Sequence, residues 1–125
     1  DELVARRRDV FNRYRNAFLE ALPDARMNPE PEGMFNSYWM PTLVLPERHR
    51  SRRDAILESM QRSGIDSRVF FPPLGDTPVF KGLPPVHTCR AHDLSQRAFN
   101  LPSYHDLSSN DQQLVIDDVL EGVRR

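Results

Sequence analysis

Cysteine and lysine each occur only once in this chain, and both scarcities exclude classes of protein. The lone Cys89 rules out an internal disulfide framework and fits a reducing compartment, so we expect a cytoplasmic location. Sixteen of the seventeen basic residues are arginine, which leaves Lys81 as the one lysine. The five glycines stand singly, so no glycine-rich phosphate loop is expected either.

Long apolar runs and an excess of one charge are also missing. No stretch approaches the roughly 18 apolar residues that a membrane-spanning helix needs, and the chain starts without the apolar core of a secretion signal. The 17 basic and 18 acidic residues are spread along the chain and leave a net charge of −1. We therefore expect neither nucleic acid nor a membrane as a partner.

The remaining composition is typical of one folded domain. With 125 residues, 38% of them hydrophobic and 28% charged, the chain can bury a modest core. It begins at Asp1 without a methionine and enters a helical pattern at once. We expect a piece of a longer protein.

The first half of the chain predicts a helix followed by a strand. Apolar residues at helical spacing indicate an amphipathic helix over residues 3–22, ended by Pro23. A connector over residues 28–33 leads into an aromatic and β-branched run, residues 38–45, which predicts a strand. Pro41 within that run favours an edge position or a bulge.

A second helix and a second strand follow. The helical pattern after Glu47 should stop at Ser63, because Gly64 stands where a helix C′ residue would be. Residues 65–71 predict the strand. Residues 72–85 contain five prolines and predict a long irregular loop.

The last third of the chain predicts a short helix over residues 90–97, a strand over residues 99–101 and a final helix. Ser108 should cap that helix, with Asp111 in the capping-box position. Its buried face is predicted to consist of Leu114, Val115, Val119, Leu120 and Val123. The whole order predicts an α/β (α+β) fold, a small, mainly antiparallel three-stranded sheet packed by helices, in one domain over residues 1–125.

One cluster has the side chains of a zinc site but not its spacing: His87, Cys89, His92 and Asp93. A structural site would need His49 or His105 to complete it. The favoured interpretation is a helix start capped by Thr88, with Cys89 packed as a small hydrophobic residue. We expect no metal and no catalytic cysteine.

Charged clusters elsewhere favour solvent-facing surfaces. This interpretation applies to the basic set Arg48, Arg50, Arg52 and Arg53 and to the acidic pair Asp117 and Asp118. Arg68 is different, because it lies in or beside a strand that leads into aromatic residues. Its guanidinium could grip a carboxylate or phosphate in a bidentate manner or form an ordinary surface salt bridge.

The chain resembles the C-terminal region of the DegT/DnrJ/StrS family of sugar aminotransferases over nearly its whole length. Four blocks carry the resemblance: the arginine-rich first helix, the segment Asn36-Ser37-Tyr38-Trp39-Met40, the strand and turn over residues 64–74, and the segment Asn100-Leu101-Pro102-Ser103-Tyr104. The paired phenylalanines and the Leu-Pro-Ser-Tyr ending are most similar to the perosamine-synthase branch. Many relatives carry a histidine where this chain has Gly75, so no role of that histidine is transferred.

The resemblance implies the small domain of a pyridoxal-phosphate (PLP) dependent enzyme. A large domain outside this chain would supply the Schiff-base lysine and most cofactor contacts, and a second subunit would complete a homodimer. The amino group would pass from glutamate to a nucleotide-linked 4-keto-6-deoxy sugar, a step in polysaccharide biosynthesis. This chain alone is then expected to bind no cofactor and to be inactive.

The same resemblance implies substrate-side roles for five residues and a catalytic role for none. Arg68 would contact an anionic group, and Tyr38, Trp39, Phe70 and Phe71 would form walls or stacking surfaces. The aromatic side chains could equally be core. Two alternatives stay open, a related PLP-dependent sugar dehydratase and a non-catalytic interaction module.

Overall fold

A computed structural model describes residues 1–80 and 89–125. Its helices are α1 (Glu2–Ala21), α2 (Arg53–Arg62), α3 (Cys89–Arg97) and α4 (Ser109–Arg124). Its strands are β1 (Arg26–Met27), β2 (Thr42–Val44), β3 (Arg68–Val69) and β4 (Ala98–Asn100). Short 3-10 turns cover Glu47–Arg52, Leu74–Asp76 and Pro78–Phe80.

Helix α1 forms where the helical periodicity predicts it. Val10, Tyr14 and Phe18 recur four residues apart, and they are buried together with Phe11 on the same face. The helix ends at Ala21, where the Leu22 N–H donates to the Phe18 carbonyl before Pro23. This element fixes the position of every side chain that projects from its arginine-rich faces.

Within the described residues, the strands form a four-stranded sheet in the order β1-β2-β4-β3, with each neighbouring pair antiparallel. The antiparallel sheet covered by helices confirms the predicted fold class. Strand β1 is the addition to the three strands expected. Its two residues pair with Val44 and Leu43, and such a short segment without β-branched residues carries no periodic signal.

The predicted strands are displaced or shortened in the structure. Residues 38–41 leave the first predicted strand, because Tyr38 has a φ of 48° and Pro41 has no N–H to donate. The strand predicted over residues 65–71 shrinks to β3. The one predicted over residues 99–101 is shifted by one residue to β4.

Helix α2 ends as predicted. Ser63 is its C-cap residue and Gly64 has a φ of 73°, a left-handed conformation that glycine adopts without strain. Glycine matters at one further place. A Cβ on Gly122 of α4 would lie 2.6 Å from Ile56 Cγ1 of α2, so glycine lets these two helices approach closely.

The start of α4 confirms the predicted capping. The Asp111 N–H donates to Ser108 Oγ at 3.0 Å, and the Ser108 hydroxyl donates back to the Asp111 carboxylate at 2.7 Å. The buried face is partly wrong, because Leu114 is 61% exposed. Ile116 and Gln112 are buried on that face although neither was predicted, and the Gln112 amide donates to the Val10 carbonyl at 2.6 Å.

The core lies between the sheet and helices α1, α2 and α4. Its fully buried members include Phe18, Leu43, Ile56, Phe99 and Val119. Among residues 1–80 and 89–125, no helix has the length and apolar character that crossing a membrane requires.

Candidate functional site

Arg68 lies at the start of edge strand β3 and is open to solvent. Its Nη2 is 3.6 Å from the Asp66 carboxylate, and the two side chains are 77% and 82% exposed. An exposed pair at that distance is typically worth about 0–1 kcal/mol. The guanidinium is therefore free to exchange Asp66 for an anionic ligand.

A cavity of about 580 Å3 lies beside this strand but has the wrong charge for an anion. Asp54, Glu58 and Asp66 line it, together with Leu57 and Val69. Three carboxylates repel phosphate or carboxylate groups. An anion that reaches Arg68 is therefore expected to approach from outside this cavity.

The sheet register separates the five predicted site residues into two groups. Arg68 pairs with Asn100, and Asn100 pairs with Thr42, so these three residues form one row across the sheet. Tyr38 and Trp39 lie four and three residues before Thr42, at the end of the sheet that carries Arg68. The Phe70 N–H donates to the Ala98 carbonyl, which places Phe70 and Phe71 at the opposite end.

Tyr38 and Trp39 are neighbours in sequence but differ in exposure. Tyr38 is 5% exposed and its ring stacks on Phe11, with centroids 3.6 Å apart and planes 4° from parallel. Trp39 is 61% exposed. Tyr38 is therefore part of the core, while Trp39 offers an open indole face.

Phe70 and Phe71 form an edge-to-face pair with centroids 5.8 Å apart. Phe71 is exposed and Phe70 is half-buried. Such a pair can form an apolar wall beyond the end of β3. It shares no row of the sheet with Arg68.

The sequence did not reveal the ion pair between Arg8 of α1 and Glu30. Arg8 donates to both carboxylate oxygens of Glu30, at 2.6 and 2.9 Å, and to the Asn36 carbonyl at 2.6 Å. Its guanidinium carbon also lies 4.6 Å from the Phe35 ring centroid and 5.2 Å from that of Tyr38. These contacts span 22 and 28 residues, so no local pattern could have indicated them.

Glu30 and Asn36 extend this network into the backbone that leads to Trp39. The Asn36 N–H donates to Glu30 at 2.8 Å, and the Tyr38 N–H donates to Asn36 Oδ1 at 2.8 Å. The hydrogen bonds from Arg8 and from the Asn36 backbone lower the pKa of Glu30 to about 2. Burial, together with the charge of Glu30, raises the pKa of Tyr38.

Together these bonds hold Tyr38 in a left-handed backbone conformation, with a φ of 48°. Such a conformation costs a non-glycine residue about 1–3 kcal/mol. It persists only where the surroundings determine it. Residues of this kind concentrate at ligand-contacting segments.

A second arginine network engages Asp93, one of the residues in the zinc-like cluster. Arg97 donates to both Asp93 oxygens, at 2.6 and 2.8 Å, and Arg50 donates to one of them at 2.5 Å. The hydrogen bond from Arg97 and the charges of both arginines lower the pKa of Asp93. The carboxylate is thereby committed to guanidinium groups rather than to a metal.

The other members of that cluster are dispersed. Cys89 is exposed, so its predicted packing as a small hydrophobic residue is wrong. His92 Nδ1 lies 3.4 Å from Asp76. In the part of the chain that the structure describes, no three such ligands lie together. His87, Thr88 and Lys81 fall outside those residues.

The basic cluster before α2 is less solvent-facing than predicted. Arg48 is exposed and paired with Asp24, but Arg53 is half-buried and donates to the Ser95 carbonyl at 3.1 Å. Asp117 is exposed as predicted. Asp118 is not, because it is half-buried and accepts a hydrogen bond from the Ser59 hydroxyl at 2.9 Å. Arg48, Arg53 and Asp118 thus join elements of the fold rather than form a binding surface.

Known proteins resemble the chain over nearly its whole length. GDP-perosamine synthase from Vibrio cholerae is 30% identical over 108 residues, which are 86% of this chain and 29% of that protein. The putative pyridoxal phosphate-dependent aminotransferase EpsN from Bacillus subtilis is 31% identical over 126 residues, 96% of this chain and 31% of that protein. The chain thus spans less than a third of the length of these relatives.

The fold also matches a solved structure. The putative sugar aminotransferase Spr1654 from Streptococcus pneumoniae, in its PMP form, superposes with a TM-score of 0.85 at 21% identity. That match covers 98% of this chain and 31% of the other. The model of the DegT/DnrJ/EryC1/StrS aminotransferase family matches residues 1–120. The chain therefore belongs to the DegT/DnrJ/EryC1/StrS aminotransferase family, as its four sequence blocks predict.

Proposed function

We propose that this chain is the small domain of a PLP-dependent sugar-nucleotide aminotransferase and that it supplies the substrate side of the active site. The observation that carries the proposal is the family match over residues 1–120 of 125. The chain spans about 30% of its relatives. The cofactor-binding part would then lie outside it.

The described residues do not fit PLP by themselves. The cofactor is held in its enzymes by a lysine Schiff base and a carboxylate partner for the pyridine nitrogen. Residues 1–80 and 89–125 contain no lysine, and Lys81 lies outside them. We assign no chemical step to this chain, and its role is binding and enclosure.

Arg68 and Trp39 are the best candidates for direct substrate contact, because both are exposed at one end of the sheet. Arg68 lies two strands from Thr42, about 10 Å at ordinary strand spacing. A guanidinium can bind the diphosphate of a nucleotide sugar, while an indole face can stack on a base or a sugar ring. Phe70 and Phe71 would form a second wall at the other end.

Tyr38 receives a different role from the one the resemblance implies. Its ring is stacked on Phe11 and has no open face for a ligand. We propose that it anchors the backbone from which Trp39 projects. The substrate-contacting set thus becomes Arg68, Trp39, Phe70 and Phe71.

Exposed apolar side chains support the presence of partner surfaces. Met34, Phe35, Leu74, Val79 and Leu114 are all exposed. A domain that meets a large domain and a second subunit is expected to show such residues when it stands alone. We propose both as partners, in a homodimer.

The proposed reaction moves the amino group of glutamate to a GDP-linked 4-keto-6-deoxy sugar, by analogy with the relative named GDP-perosamine synthase. The test uses a polypeptide that joins this chain to the cofactor-binding domain encoded beside it. We expect it to bind PLP and to form the amino sugar from GDP-4-keto-6-deoxymannose and glutamate. Release of a dehydrated sugar without amino transfer would establish the dehydratase alternative. The absence of any encoded cofactor domain would leave the interaction module.

A further inference from the structure

Trp39 owes its exposed position to a backbone conformation that it does not itself stabilise. Tyr38 is buried and has a φ of 48°, whereas the next residue is 61% exposed. Left-handed backbone is uncommon for residues other than glycine. Contacts from other residues must therefore stabilise the left-handed backbone of Tyr38.

Arg8 contacts both of the residues, Glu30 and Asn36, whose hydrogen bonds lead to this backbone. It grips both oxygens of Glu30 and the Asn36 carbonyl, and Asn36 in turn accepts a hydrogen bond from the Tyr38 N–H. Arg8 and Glu30 are each 25% exposed, so solvent screens them less than it screens Arg68. Arg8 projects from the second turn of the 20-residue helix α1, whose backbone hydrogen bonds hold its Cα in place.

We propose that Arg8 is a positioning residue, which through Glu30 and Asn36 fixes segment 35–39 in the conformation that presents Trp39 to substrate. The proposal rests on the function proposed above for the substrate role of Trp39. Arg8 touches no ligand in this account. It raises the fraction of molecules in which segment 35–39 already has the binding conformation, which is called the ready fraction below.

Arg8 has a matched control on the same helix. Arg6 forms an exposed pair with Glu2 one turn away, with a nitrogen-to-oxygen distance of 2.9 Å. Both residues of that ion pair belong to α1. Arg6→Ala therefore removes the same charge from the same helix without touching segment 35–39.

Trp39 is the chain's only tryptophan, so its fluorescence reports on this segment alone. We expect Arg8→Ala to add a fast component to the anisotropy decay of Trp39, while Arg6→Ala leaves the decay unchanged. Glu30→Gln should also add a fast component to the decay, because it removes the carboxylate charge from the same pair. Arg8→Lys should restore the decay only in part, since lysine keeps the charge but not the two-pronged grip.

The second measurement is binding of GDP-mannose to the polypeptide that joins this chain to its cofactor domain, followed by titration calorimetry. If the ready fraction falls to a tenth, the apparent Kd rises about tenfold in Arg8→Ala. Arg6→Ala should stay within about twofold of the unmodified chain. Circular dichroism would show that each variant is folded, and if Arg8→Ala does not fold, Glu30→Gln replaces it in both measurements.

The two hypotheses fail in different ways. An unchanged Trp39 decay in folded Arg8→Ala and Glu30→Gln would overturn the positioning role, whatever the ligand result. A loosened Trp39 in Arg8→Ala, together with an unchanged Kd for GDP-mannose when Trp39→Ala is made in the joined polypeptide, would overturn the substrate role of Trp39. In that case the structural effect of Arg8 on the segment would still be supported.

Discussion

At the scale of single residues, arginine is used here for two-pronged contacts with carboxylates. Arg8 holds Glu30 and Arg97 holds Asp93, each through two nitrogen-to-oxygen bonds. The planar guanidinium matches two carboxylate oxygens at once, which a lysine ammonium cannot do. The first contact joins segments 22 residues apart in the sequence, and the second lies at the end of α3.

Arg68 is the residue whose substitution tests the anion contact. In an enzyme assembled from this chain and its cofactor domain, Arg68→Ala is expected to raise the KM of the sugar nucleotide about tenfold, because hydrogen bonds to charged groups are worth about 1.5–3 kcal/mol. Arg62→Ala is the control, since Arg62 is also largely exposed, at 67% against 77% for Arg68, and is paired only loosely, at 3.9 Å, with Glu58. Equal KM values for both variants would remove Arg68 from the site.

Glu30 gives the fold a defined response to acid. Its folded pKa of about 2 lies below the ordinary value of 4.5, so the carboxylate stabilises the fold above pH 4.5. That contribution is lost as the pH falls from about 4.5 toward 2, when Arg8 loses its charged partner. Glu30→Gln should therefore show a shallower loss of stability over this range.

The measurement is urea unfolding at several pH values, followed by circular dichroism. Protonation of Asp93, whose pKa is also lowered, affects both chains equally and cancels in the comparison. If the free energy of unfolding falls equally steeply with pH in the unmodified chain and in Glu30→Gln, the pair of Arg8 and Glu30 does not contribute to folding stability.

At the scale of elements, the contact between α2 and α4 is set by Gly122. Gly122→Ala should destabilise the fold, because its Cβ would meet Ile56 Cγ1 at 2.6 Å. Overpacking costs about 1–3 kcal/mol, and the better helix propensity of alanine offsets about 1 kcal/mol of that cost. Urea unfolding should show a net loss of about 1 kcal/mol.

Gly75→Ala is the control for this substitution, since a Cβ there would meet nothing within 4 Å. It should leave the free energy of unfolding within about 0.5 kcal/mol of the unmodified value. A stabilised Gly122→Ala would mean that α2 and α4 can move apart without cost.

Helices whose apolar spacing repeats over several turns were predictable from the sequence, and the two-residue strand β1 was not. Helices α1 and α4 repeat their apolar spacing over several turns, and the pairing of Ser108 with Asp111 marks a helix start. Strand β1 has only two residues. Leu114 was misplaced because the buried face of α4 runs through Gln112, Val115 and Val119, and Gln112 is held there by a hydrogen bond to Val10 that depends on the tertiary fold.

The candidate site, too, was only partly predictable from the sequence. Arg68, Trp39, Phe70 and Phe71 could be named because their residue types and sequence blocks stand out. Their separation to two ends of the sheet comes from strand pairing between segments 30 to 60 residues apart, which local patterns do not encode. The Arg8 network was beyond prediction for the same reason.

At the scale of the whole molecule, family membership and the exposed surface support one proposal. The chain matches its family over residues 1–120 yet spans about 30% of its relatives, and several large apolar side chains are exposed. A domain that shares its active site with a cofactor domain would have these properties. Its own residues would then recognise substrate and leave the cofactor chemistry to the other part.

The absorbance spectrum of the purified 125-residue chain with added PLP tests that division most directly. We predict that the chain shows no visible absorbance band of a lysine-bound cofactor and no amino transfer from glutamate. Such a band, accompanied by turnover of glutamate and a keto sugar nucleotide, would contradict the account. It would assign to Lys81 the chemistry that we place outside this chain.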